Sequence, residues 1–384
     1  TLDLNGFDQT VNRLTGATFG TFGTGEITSA GPATFTFGSS LAGRPSDFAG
    51  TITGALNVVT KGANKVTLTG NNVYSGTTTI SNANNLLQIG NGGTSGTLGG
   101  GAVLNNGTLA FDRSDDLTVA NVISGPGRLV QQGAGTLTLA GNNTYSGTTT
   151  ITNGALRIGQ GGTSGTLGLG TVTNNGILIF DRSDALTTAN TINGSGSVVQ
   201  QGAGTTTLTG PNTYTGTTAI DTGTLLLNGS HVGGAGYSVA TGAAFGGTGQ
   251  TDSSVAVDGT IRPGDGVTQG ILQTGALTLN NTGLLNLLLG GPTSSLLSVT
   301  GNLSLLGGID FTVAPALTAD LYPLVSYTGS LSGTFSLTNN LPTGFNLVYG
   351  TNNTIFLERV PSIDGTAVLA SGDALITGGS LPFD

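Results

Sequence analysis

One eleven-residue phrase recurs three times and constrains everything else. Gly70-Asn71-Asn72-Val73-Tyr74-Ser75-Gly76-Thr77-Thr78-Thr79-Ile80 returns as Gly141-Asn142-Asn143-Thr144-Tyr145-Ser146-Gly147-Thr148-Thr149-Thr150-Ile151, and again from Gly210 to Ile220. The tyrosines Tyr74, Tyr145 and Tyr214 stand 71 and 69 residues apart, so the period is about seventy. The difference arises between Ile80 and Ile89, two residues longer than Ile151 to Ile158, which marks a turn that tolerates insertion. Seventy residues is too long for one solenoid coil, but strand-like segments recur inside each unit at roughly twenty-residue spacing. Leu137-Thr138-Leu139, Ala155-Leu156-Arg157-Ile158, Ile177-Leu178-Ile179-Phe180 and Val198-Val199-Gln200 are such segments. Each unit reads as about three stacked β-rungs.

Strands in such a coil alternate between interior and solvent, which places Leu137, Leu139, Leu156 and Ile158 inward and Thr136, Thr138 and Arg157 outward. The corners need left-handed backbone, supplied by 69 glycines and by Asn-Gly pairs at Asn106, Asn153 and Asn175, although such pairs also make hairpins. A glycine-rich chain invites a reading as disorder. With 36% hydrophobic and only 8% charged residues, however, this one has a core to bury and few charges to keep it open. There is no cysteine, so neither disulfides nor thiolate chemistry is available. Nineteen acidic against ten basic residues, with only Lys61 and Lys65 close together, exclude a nucleic-acid partner. No apolar run approaches the roughly 20 residues of a membrane span.

The recurring phrase, preceded by Gln132-Gly133-Ala134-Gly135-Thr136-Leu137-Thr138-Leu139 and followed by Asn153-Gly154-Ala155-Leu156-Arg157-Ile158-Gly159, resembles the autotransporter-associated β-strand repeat of bacterial surface proteins. The opening Thr1 to Val11 is similar to another rung of such passengers, and Gly259 to Phe356 to the segment that closes them. The resemblance implies an all-β chain: a right-handed parallel β-helix (β-solenoid) exposed outside the cell or on the bacterial surface. At about 22 residues per rung, roughly seventeen rungs are expected. The organisation expected is N-terminal rungs over 1–69, the repeat region over 70–228 with a partial third copy, a passenger-like segment over 229–360, and a tail over 361–384. The chain lacks an initiating Met, a signal peptide and a membrane barrel, and is expected to be a processed or partial chain.

The candidate sites divide into sharp and plain readings. Asp112-Arg113-Ser114-Asp115-Asp116 and Asp181-Arg182-Ser183-Asp184 hold paired carboxylates of the kind that carry glycoside cleavage. Their duplication in two units instead points to a corner at which arginine neutralises aspartate. Tyr74, Tyr145 and Tyr214, with Phe111 and Phe180, are expected to pack in or against the coil rather than bind sugar. Gly90–Gly101 and Gly159–Gly170 lack the lysine and the following helix of a phosphate cradle and read as corners. Gly246 to Asp252 only approximates a calcium-binding nonapeptide. His231, the single histidine, lies among glycines and is expected to be an exposed turn residue. No catalytic residue, metal or cofactor is therefore expected.

The first rung begins at Thr1-Leu2-Asp3-Leu4 with no cap, and 361–384 holds two short strand-like segments. Leu2 and Leu4 at one end, with Val368, Leu369, Leu375 and Ile376 at the other, are expected to meet in a head-to-tail homopolymer. The functional reading is a structural or adhesive protein of the cell exterior, a surface rod or the subunit of a head-to-tail filament, with itself first and surface glycans second as expected partners. A polysaccharide-active enzyme and a glycan-binding adhesin are the alternatives.

Overall fold

A computed structural model describes residues 1–12, 14, 25–38, 45–350, 352–361, 367–368 and 375–376. The described chain is an all-β parallel solenoid with three faces. The first face runs through Leu2–Asp3, Glu26–Thr28 and Thr51–Ile52, then resumes at Leu117–Val119 and continues to Leu331–Gly333. The second runs from Gln9–Val11 to Ile123–Ser124 and resumes from Ala185–Thr188 to Leu337–Asn339. The third runs from Ser46–Phe48 to Ile192–Asn193 and resumes from Pro211–Asn212 to Leu321–Tyr327.

The coil makes about fourteen turns: fourteen strands follow one another on the third face between Ser46 and Tyr327. That is fewer than the roughly seventeen obtained by dividing the whole chain evenly. The reason is that coils are uneven. Leu137 pairs with Leu156 nineteen residues on, but Leu2 pairs with Ile27, twenty-five on, and Leu303 with Leu331, twenty-eight on. At the C-terminal side parallel stacking ends when Thr354–Arg359 pairs antiparallel with both Leu321–Tyr327 and Phe345–Tyr349.

One continuous apolar core threads the coil, from Leu4 to Leu357. The inward set is as the alternation predicts: Leu137, Leu139, Leu156 and Ile158 are buried. Thr138, predicted to face solvent, is also buried; in register it lies between Thr118 and Arg157.

The seventy-residue unit does not make a whole number of turns. Ten segments separate Thr78–Ile80 from its copy Thr149–Ile151, and with three segments per turn the unit advances three and a third turns. Equivalent strands therefore land on different faces. Leu86–Ile89 pairs with Thr108–Phe111 on the third face, Ala155–Ile158 with Ile177–Phe180 on the first, and Thr224–Leu227 with Ala244–Gly247 on the second. Each repeat is turned by one face relative to the last, while rising about 16 Å at the spacing of parallel strands.

Candidate functional site

The rotation explains why each face has a gap in its ladder. The Asn-x-Tyr segment of one repeat interrupts the first face at residues 72–75, that of the next interrupts the second at 143–146, and that of the third meets the third face at 212–215. In each gap a side-chain amide stands in for the missing backbone partner. Asn72 Oδ1 accepts the Ile52 N–H at 2.9 Å, Asn143 Oδ1 that of Ile123 at 2.9 Å, and Asn212 Oδ1 that of Ile192 at 3.0 Å. The amide nitrogens of Asn72 and Asn143 then donate to the carbonyls of Thr97 and Thr166 in the next coil, at 2.7 and 2.8 Å. A buried amide can bridge coils because it carries both a donor and an acceptor, as a peptide does.

Two residues on, the tyrosine turns into the core. Tyr74, Tyr145 and Tyr214 are fully buried, and each hydroxyl is bonded to a threonine four residues later, Thr78, Thr149 or Thr218, at 2.6–2.7 Å. Burial raises all three phenol pKa values, that of Tyr214 to about 12. Gly99 and Gly168 sit against the rings so closely that a Cβ at either position would stand 2.3 Å from a ring carbon. Phe111 and Phe180 are buried in the same core.

Between 71–75 and 117–121, with 97–100 between them, the first gap opens as a furrow of about 560 Å³. Asn71, Val73 and Ser75 form one rim, Thr118 and Ala120 the other, and Leu98 and Gly99 the floor; no charged side chain lines it. Val73 projects from its rim, 70% exposed. The equivalent furrow of the second unit, on the next face, is only about 190 Å³. There Leu169 occupies the place of Gly100 and lines the furrow.

The Asp-Arg-Ser-Asp corners are clamps. Arg113 binds Asp115 through Nε and Nη2, both at 2.8 Å, and donates to the carbonyls of Gly96 and Thr94 at 2.9 and 2.7 Å. Arg182 repeats this with Asp184, Gly165 and Thr163. The guanidinium thereby ties down the glycine-rich loop one coil away, a function the repeat pattern alone did not reveal. Bonded to Arg113 and Arg182, the carboxyls of Asp115 and Asp184 are held below their ordinary range. A glycosidase acid needs its pKa raised instead. The other aspartates of the two corners bind along the coil: Gln88 donates to Asp112 at 3.2 Å, the Thr136 N–H to Asp116 at 2.9 Å, and Arg157 approaches Asp181 at 3.7 Å.

Two expectations about single residues of the candidate sites are also corrected. His231 is not an exposed turn residue but is 1% exposed, stacked on Tyr214 with ring centroids 3.9 Å apart. It is a strand residue, in Ser230–His231, and takes up the gap that remains open as a furrow in the first two units. Its glycine neighbours hid this, since they read as loop. Leu4, expected at an assembly surface, is 3% exposed and belongs to the core, while Leu2 is 47% exposed. Val368 pairs with Leu375 and Ala367 with Ile376 in an antiparallel pair, and Leu369 lies outside the described residues. Asp252 accepts the Gly233 N–H at 2.9 Å. Among the described residues no group of three His, Cys, Asp or Glu side chains converges as a metal site, and no helix is long and apolar enough to cross a membrane.

The repeats have counterparts in known proteins. The passenger-associated-transport-repeat matches residues 58–83, 129–158 and 198–227, so the chain carries three such repeats. Over 200 residues, 47% of the chain, it is 35% identical to an adhesin, the BmaC autotransporter of Brucella suis biovar 1 (strain 1330). The chain spans 6% of that relative's length.

Proposed function

We propose that the chain is a stretch of an extracellular adhesive rod, wound right-handed like the passengers it resembles, whose furrows contact surface glycans. The observation that carries this reading is the turn of one face per repeat. A groove copied in register would line one side of the rod, whereas a groove turned by a third presents contacts on two faces, as suits a rod that meets its target in more than one orientation. Similarity to an autotransporter adhesin and the transport repeats support the exterior location. The uncharged furrow with Asn71, Ser75 and Thr118 at its rims suits hydroxyl-rich neutral ligands.

The purified chain is expected to bind neutral glycans on an array, and V73R combined with T118R to reduce that binding at least tenfold with no change in unfolding. Both residues are exposed, so the fold tolerates the exchange. An array without hits, or binding indifferent to the double variant, counts against adhesion through the furrow. Release of unsaturated products from polyuronates favours the enzyme reading in its place.

Head-to-tail assembly is a second reading, favoured by one observation: among the described residues Ala367–Val368 and Leu375–Ile376 pair with each other and not with any strand of the solenoid. Negative-stain images of the intact chain are expected to show filaments that disappear when residues 361–384 are deleted. Monomers in the intact sample, or filaments that survive the deletion, refute it.

A further inference from the structure

The third unit keeps the amide, Asn212, and adds stacked rings where the first two leave a furrow. On the third face the ladder here consists of two-residue strands, Pro211–Asn212, Ser230–His231 and Gln250–Thr251, and the last joins the next coil through a single register pair, Gln250 with Gln273. At the same level the other faces carry four-residue strands, Thr217–Ile220 with Gly236–Val239 and Thr224–Leu227 with Ala244–Gly247. The thin face is held by a run of rings. His231 stacks on Tyr214 at 3.9 Å and meets Tyr237 edge-on at 5.6 Å, and Tyr237 contacts Phe245 at 4.9 Å.

The hydrogen bonds within this run suit a neutral ring. His231 Nε2 lies 2.9 Å from the Tyr214 carbonyl, which can only accept, so Nε2 carries the hydrogen. Nδ1, 2.7 Å from the Tyr237 hydroxyl, is then the acceptor of a neutral ring. A second proton would set donor against donor unless the buried Tyr237 hydroxyl turned away. The ionisable groups that face the ring are Tyr214 in the coil below, Tyr237 in the following strand, and Asp252 in the coil above. Burial, acting against the Tyr214 carbonyl and the Asp252 charge, sets the imidazole pKa below its ordinary value.

We propose that the His231 stack is an acid-sensitive seam in the rod: protonation of its imidazole opens the third face between Pro211 and Gln273 while the coils on either side stay wound. The sign follows from linkage. The native ring takes its proton at lower pH than the unfolded chain, so the seam's stability is complete above about pH 6.5 and declines as pH falls below that value toward the native pKa. With no other histidine in the chain, nothing else of this kind titrates in the window.

Hydrogen exchange of the intact chain, corrected for intrinsic rates, is compared at pH 7.5 and 5.5. Peptides covering 210–235 are expected to lose protection at the lower pH, by up to about tenfold, the ceiling set by unfolded-state protonation one pH unit below 6.5. Peptides between 86 and 158 are expected to keep theirs. H231F retains a stacking ring but cannot titrate, and is expected to abolish the pH dependence. An NMR titration of the single imidazole, expected below pH 6.5, gives an answer even if H231F folds poorly. Equal protection at both pH values, pH dependence that persists in H231F, or titration at or above 6.5 overturns the proposal.

Discussion

Replacing Tyr145 by alanine is expected to lower the unfolding free energy by about 4 kcal/mol, the cost of emptying a fully buried aromatic site. The ring has no exposed surface, and Gly168 is kept bare of a side chain to admit it, so neighbouring coils cannot collapse inward without bending two ladders. The deletion also strands the Thr149 hydroxyl, whose 2.7 Å partner is the phenol. Y145F separates these contributions: it keeps the volume and loses the hydrogen bond, for about 1 kcal/mol. In a solenoid each coil packs only on its neighbours, so the loss is local. Guanidinium unfolding measures the total, and hydrogen exchange is expected to show lost protection from 123 to 178 but not beyond 250. A loss below 1 kcal/mol for Y145A would refute the view that the repeat tyrosine is a core anchor.

The second large effect concerns a polar residue. N143L preserves size and removes both ends of a bridge between coils, leaving the buried N–H of Ile123 and the carbonyl of Thr166 without partners. Each buried group left unpaired costs about 1–3 kcal/mol, so a loss of about 2–4 kcal/mol is expected despite added apolar volume. The exposed neighbour Asn142 contributes one bond, to the Gly165 N–H at 3.0 Å, and N142L serves as a control expected to lose about 1 kcal/mol. Equal losses in the two variants would show that Asn143 does not replace a strand.

The amide bridge and the tyrosine anchor were both visible as letters, since they are what makes the phrase recur, but their separate tasks were not. The Asp-Arg-Ser-Asp corners were legible as charge pairs, and the arginine does bind aspartate. That it also holds Thr94, Gly96, Thr163 and Gly165 by their carbonyls was not, because carbonyl oxygens leave no trace in residue identity. Leu4 looked like an exposed end because it comes early in the chain. Its place in the core follows from its coil, where the Leu4 N–H already donates to the Thr28 carbonyl at 2.8 Å.

What the sequence by itself determined is the stack of β-rungs and the content of each repeat, because strand alternation and the recurring Asn-x-Tyr phrase act over neighbouring residues. Only the tertiary structure decided how many segments close a turn. Segments 97–100 and 143–146 occupy a face without forming a strand, so they count toward the winding but not toward any visible alternation. The extra third of a turn that results is set by closure of the coil around its core. It turns each repeat by one face, opens a furrow in the first unit, and brings His231 onto Tyr214 in the third.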